Sequence, residues 1–209
     1  MKARRPGRPR IPVGREVLLQ HAREAFAERG FAGASLAHIA ECAGIRKASL
    51  FHHFESKDAL YLEAIGTTLA PIGQLVAEAA VSAGDFVARL DSLSVGIARA
   101  LGGEPVAARL LFRELVDRGR FLHGPGAVVV EQVLGAGQAF LQAGMDEGAI
   151  QPGNPAHLMM TLVGVHLAFF AAPDLSESML GQSPFDEAVV ADRAEAVRLQ
   201  VRRLCGARA

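Results

Sequence analysis

Residues 46 to 57 read Arg46-Lys47-Ala48-Ser49-Leu50-Phe51-His52-His53-Phe54-Glu55-Ser56-Lys57, a run that mixes cationic, hydroxyl and imidazole side chains with three spaced apolar ones. On a short helix Leu50, Phe51 and Phe54 form one packing stripe. Lys47, Ser49, His52 and His53 then lie toward other faces, available as donors to phosphate oxygens or base edges. Just upstream, Leu36, Ile39, Ala40 and Ala43 recur at helical spacing, and Gly44 stops the run by accepting a left-handed backbone. Ser35 stands where an N-cap accepts from first-turn amides, although His38 occupies the place of the reciprocal Glu or Gln. Two short helices joined by a turn containing glycine make a helix-turn-helix, whose second helix enters a DNA major groove.

A third helix must brace these two. Leu18, Leu19, Ala22, Ala25 and Phe26 give one apolar stripe between Arg15 and Arg29, and Gly30 ends it. Downstream, Ser56 caps a helix with Asp58 in its first turn, carried on by Leu60, Tyr61, Ala64, Ile65 and Leu69 until Pro71 kinks or ends it. The chain therefore divides into a basic arm over 1–14, a head over 15–58 and a helical body over 59–209.

Charge follows the same division. Net charge is zero, yet residues 1–57 hold eleven Lys and Arg against five Glu, so the remainder carries a matching negative excess. A basic head on an acidic body suits a protein in which only the head neutralises phosphate. The first fifteen residues hold six basic side chains, no acid and three prolines. They are either a solvated tail or, through Arg5, Arg8 and Arg10 in a Gly-Arg-Pro setting, an arm for an A·T-rich minor groove. No apolar run follows MKARRPGRPR, so no secretory leader is expected and a cytoplasmic setting is. The longest apolar run, 158–172, falls short of the roughly 20 residues a membrane span needs and reads as a buried helix.

The body is a series of helices: 85–101; one opened by Pro105 with Ala108, Leu111, Phe112 and Leu115 as its stripe; 127–148; one over 158–172 capped by Asn154 and Pro155; and a last one after Ser183-Pro184. A loop spans 121–126. In the last helix Val190, Ala194, Val197, Val201 and Leu204 alternate in steps of four and three, a narrow coiled-coil-like seam. With Gly164 and Ala168 in the preceding helix, it is expected to join two copies through the last two helices. The alternative is two more core helices of a monomer. Arg109, Arg113, Glu114, His123 and His166 are polar groups in or beside apolar stretches, and of these Arg113, His123 and His166 are the expected ligand contacts. No Glu-x-x-His pair, zinc spacing, phosphate-binding glycine loop or nucleophile motif is present, so neither catalysis nor a cofactor is expected.

The head resembles the DNA-binding domain of the TetR family of bacterial transcriptional repressors. The resemblance rests on Phe26-Ala27-Glu28-Arg29-Gly30-Phe31, Ile39-Ala40 with Ala43-Gly44-Ile45, and Ser49-Leu50-Phe51-His52-His53-Phe54 with Ser56-Lys57. It implies an all-α homodimer, with a three-helix head on a palindromic double-stranded DNA operator and a C-terminal body for ligand binding and dimerisation, where an unknown small molecule releases the DNA. Ser35, Lys47, Ser49, Phe51, His52, His53 and Lys57 fall where members of the family touch DNA. Arg46 stands where a Ser or Thr cap is usual, forgoing a cap worth about 1 kcal/mol but adding a bidentate donor for a guanine edge or a phosphate. Phe51 replaces the usual Tyr and loses its hydroxyl contact, so packing is its expected role. Ala48, where Gly is common, changes little. A DNA-binding architectural protein without an effector is the alternative reading.

Overall fold

The computed structural model describes residues 14–117, 119 and 121–207, so the arm residues Arg5, Arg8 and Arg10 lie outside the described residues. The described chain is all helical: α1 (Arg15–Gly33), α2 (Leu36–Cys42), α3 (Lys47–Leu50), α4 (Lys57–Val81), α5 (Phe86–Gly103), α6 (Ala107–Val116), α7 (Ala127–Asp146), α8 (Pro155–Ala171), α9 (Pro173–Leu180) and α10 (Glu187–Cys205).

In the head, Leu18, Leu19, Ala22, Ala25 and Phe26 are all buried, and Gly30 breaks α1 with φ of 67°. The turn between α2 and α3 closes with Ile45 N–H donating to the Ala40 carbonyl at 2.9 Å and Gly44 N–H to that of Glu41 at 2.9 Å. These are the two bonds of a helix-ending glycine motif, with Gly44 at φ of 71° as the left-handed residue. Ser35 flanks α2 in an extended conformation, but its side chain makes no capping bond, contrary to expectation. Ser56 does cap α4, its hydroxyl accepting from Ala59 N–H at 3.0 Å.

Pro71 neither ends nor breaks α4, which runs on to Val81. Proline removes only the bond to the carbonyl four residues back, and both Pro71 and Thr67 are exposed, so water can serve that carbonyl. By length and composition α4 could cross a bilayer, but here Leu60, Tyr61, Ala64, Ile65 and Val76 are buried against the rest of the chain.

Two expectations for the body are corrected and one helix is added. The buried face of α6 is Ala107, Ala108, Leu110, Leu111 and Glu114, whereas Phe112 and Leu115 are exposed. The helix turns Glu114 inward beside Ala108 and Leu111, while Phe112 points out and Leu115, though exposed at its edge, still borders the cavity. The segment after α8 is not a plain connection: Pro173 opens α9 at a 77° bend, anchored by Ser176 Oγ donating to the Phe169 carbonyl at 2.7 Å. The α10 seam is spent within one chain, because Ala194, Val197 and Val201 are buried and Val190 packs over Gly102 of α5, where a Cβ would lie 2.6 Å from Val190 Cγ1. Leu204 is half exposed; Cys205 takes the buried position expected of it.

One apolar core runs from Leu18, Phe26 and Leu50 through Leu60 and Ile65 to Leu110, Phe121 and Phe170, so it crosses residue 58 without interruption. A second, distal core gathers Phe86, Leu90, Phe140, Leu162, Val197 and Val201. α5 and α10 are also tied by charge. Arg202 Nε donates to Asp91 Oδ1 at 2.6 Å and Arg198 Nη1 to Oδ2 at 3.0 Å. Burial would raise the Asp91 pKa, but the bonds from Arg202 and Arg198 outweigh it and hold the carboxyl below its usual value.

The stabilisation by Asp91 is therefore present above the ordinary carboxyl pKa and lost as pH falls through the depressed one. Asp91→Asn is expected to cost about 2 kcal/mol near neutrality. Thermal unfolding of both proteins should show a gap in midpoint at pH 7 that narrows below about pH 3.9.

Candidate nucleic-acid interface and body cavity

The segment from Arg46 to His52 presents its charged side outward because its apolar side is used up. α3 is a single turn, with Leu50 and Phe54 four residues apart on one face and both buried. Phe51 lies one residue, about 100°, around from Leu50 and is 44% exposed, so the expected packing role is corrected. The Lys47 ammonium lies 5.9 Å from the Phe51 ring centroid. Ser35, Arg46, Lys47 and His52 are exposed, while Ser49, His53 and Lys57 are partly covered. Lys57 Nζ sits 4.6 Å from the Phe31 ring centroid and 3.5 Å from the Ala32 carbonyl, which places its charge beside the α1–α2 corner.

Arg15, which the sequence reading did not single out, fixes this segment to the scaffold. Its guanidinium lies 4.1 Å from the Phe54 ring centroid, donates to the His53 carbonyl, and donates through Nε to Glu63 at 2.7 Å. The bond from Arg15 lowers the Glu63 pKa. Partners 48 residues apart carry no local sequence signal; the clue was a cation opening a helix whose other face is wholly apolar.

In the body, α4 to α8 and the 121–126 loop enclose a cavity with about 1090 Å³ of space between atoms, counted out to its mouth. Among the described residues its wall is aliphatic and aromatic, with Ser94, Glu114 and His166 the polar side chains and no Lys or Arg. The Ser94 hydroxyl is satisfied by the Leu90 carbonyl at 2.8 Å. Glu114 accepts from Leu122 N–H at 2.9 Å through Oε1 and from the Tyr61 hydroxyl through Oε2. Burial, then the bond to Glu114, pushes the Tyr61 pKa far up, so the phenol keeps its proton. His166 Nδ1 lies 2.8 Å from the Leu162 carbonyl. Its Nε2 is buried and has no hydrogen-bond partner. Burial lowers the His166 pKa, opposed by the Leu162 and Ser94 carbonyls and reinforced by Arg193.

Of the three expected ligand contacts, His166 lines the cavity and Arg113 and His123 do not. Arg113 turns away and closes the last carbonyls of α1, donating through Nε to Ala27 at 3.1 Å and through Nη2 to Glu28 at 3.3 Å, with Asp117 held at 3.2 Å by Nη1. His123 is exposed on the loop. Glu114 takes the inward place instead. It was among the polar candidates in the sequence, a carboxylate three residues after Leu111 of that helix's stripe, but was not one of the expected ligand contacts.

A bound-in helix-turn-helix with an outward cationic edge, set on a hollow helical body, defines a DNA-binding transcriptional regulator. Residues 18–64, most of the head and the start of α4, match the family of bacterial regulatory proteins described as the tetR family. It is 36% identical over 68 residues to the HTH-type transcriptional repressor AcnR of Corynebacterium diphtheriae, a stretch covering 32% of this chain and 36% of that relative. It is 26% identical over 183 residues to the HTH-type transcriptional regulator RutR of Escherichia coli O157:H7, covering 85% and 83% of the two chains. Among solved structures, AibR in complex with isovaleryl coenzyme A and operator DNA superposes with a TM-score of 0.70 at 16% identity, over 93% of this chain and 99% of that one.

The Tyr61–Glu114 bond gives a test of the cavity wall. Tyr61→Phe leaves a buried carboxylate oxygen without its donor and is expected to cost about 1–3 kcal/mol. Urea unfolding should show the lower midpoint with an unchanged slope.

Proposed function

We propose that this regulator is a repressor that binds a palindromic operator as a homodimer and lets go when a small molecule fills the body cavity. The observation that carries the reading is the shared core. Leu50 and Phe54 beneath the exposed edge belong to the same apolar body as Ile65, Leu111, Phe121 and Leu167, which also line the cavity. Filling the cavity then works against the packing that sets the head, and an effector shifts the DNA equilibrium by its differential affinity for the two arrangements. AibR, which carries isovaleryl coenzyme A and operator DNA in one structure, supports the idea that this fold serves both ligands.

The DNA contacts in this reading are Arg46, Lys47, Ser49, Phe51 and His52 from the recognition segment, with Ser35, His53 and Lys57 toward the phosphates and Arg5, Arg8 and Arg10 from an arm over residues 1–14. The head spans 15–58 and the body 59–209. Two heads are needed to read two half-sites, and the second copy would meet the outer faces of α8 and α10. Met160, Gly164 and Ala168 are exposed along one side of α8 and Leu199 on α10, after the α10 seam is used internally.

Footprinting on genomic DNA upstream of the gene should protect one short palindrome; smooth coverage with a steep salt slope and no preferred site would instead make the protein an architectural DNA binder. On that palindrome, Lys47→Ala should weaken every sequence alike and lower the salt slope by about one unit, whereas Arg46→Ala should relax preference at one base pair by about 1–3 kcal/mol.

A further inference from the structure

The cavity states what it would accept. His166 is only 7% exposed, and its Nδ1 faces the Leu162 carbonyl at 2.8 Å. A carbonyl only accepts, so Nδ1 carries the proton. In the neutral ring Nε2 is then a bare acceptor. Among the described residues that nitrogen makes no hydrogen bond. The Ser94 carbonyl also faces the ring but, being an acceptor, cannot serve a bare nitrogen. A buried polar atom left unsatisfied costs free energy that a ligand can recover. The other two polar groups on the wall ask for nothing. Ser94 gives its proton to Leu90, and both Glu114 oxygens already accept from Tyr61 and Leu122. Among the described residues the lining holds one carboxylate and no Lys or Arg, so an anionic head group beside Glu114 would meet a like charge in an apolar hollow.

We propose that the effector is an elongated, uncharged apolar molecule bearing one hydrogen-bond donor, such as an alcohol or phenol hydroxyl, which it gives to His166 Nε2. This rests on the effector reading above and adds to it the chemical class of ligand.

The probes are 1-decanol, decyl methyl ether, decanoate and decylammonium, which share one chain and differ in the polar end. Calorimetric titration of the full-length protein should show 1-decanol binding about tenfold or more tighter than the ether, which has no donor, and tighter than either ion. The ¹⁵N resonance of His166 Nε2 should move with the alcohol and stay with the ether. His166→Phe should erase the preference for alcohol over ether, and His166→Gln, which offers a carbonyl acceptor, should restore part of it. Equal affinity of alcohol and ether for the natural protein, tightest binding of either ion, or no binding by any probe overturns the proposal. So does an alcohol preference that survives in His166→Phe. If the alcohol binds through His166 but leaves the operator complex intact in a mobility-shift assay, the effector reading fails while the ligand class stands. If the ether or an ion releases operator instead, the class fails and the effector reading survives.

Discussion

Glu114 is a buried carboxyl group whose two oxygens each accept from an uncharged donor, and much of the molecule is arranged to supply them. The Tyr61 hydroxyl must reach it from α4, and the Tyr61 ring is in turn held edge-on by Phe26 and Phe31 of the head, at centroid distances of 4.8 and 5.0 Å. Leu122 must bring its amide from the loop, which pins the covering of the cavity. Gly119 must stay without a side chain, since a Cβ there would lie 1.8 Å from the carboxyl carbon. One acidic group thus fixes a helix, a loop and the aromatic contact between head and body.

The residue before it faces the other way. Successive helical side chains diverge by about 100°, so α6 sends Glu114 into the cavity and Arg113 onto the terminal carbonyls of α1. α6 is therefore the element on which the hollow and the head both lean. A shift in the helix is felt at both, because packed interiors do not deform smoothly.

The head was legible in the sequence almost to the residue, because its signals are local: a stripe in α1, a glycine at 44, a serine cap at 56. Where local signals compete with packing, the reading slipped. Phe51 looks like part of a stripe until α3 proves one turn long. Pro71 looks like an end until its exposed setting makes the lost bond cheap. On α6 the stripe was right at Ala108 and Leu111 but took in Phe112, which is exposed, in place of Glu114, and only the donors Tyr61 and Leu122, distant in sequence, make the carboxylate an inward member. The α10 seam was seen correctly as a seam, but a periodic stripe does not say whether its partner is another copy or α5 of the same chain. Of the polar candidates, His166 was recognisable as an imidazole within an apolar run. Arg113 and His123 were not separable from it without knowing which way α6 and the loop turn.

The hollow itself is walled by side chains that exchange for one another at little cost. Leu, Ile, Val and Met swaps that conserve volume typically disturb a core by less than about 1.5 kcal/mol, and Leu69, Leu93, Val133, Leu134 and Met159 are all of this kind. None of them touches the outward edge of α3. If the chamber takes an effector as proposed, inheritance can reshape it by small steps while the address read on DNA is kept, so that descendants of this gene come to answer new molecules at the same operator.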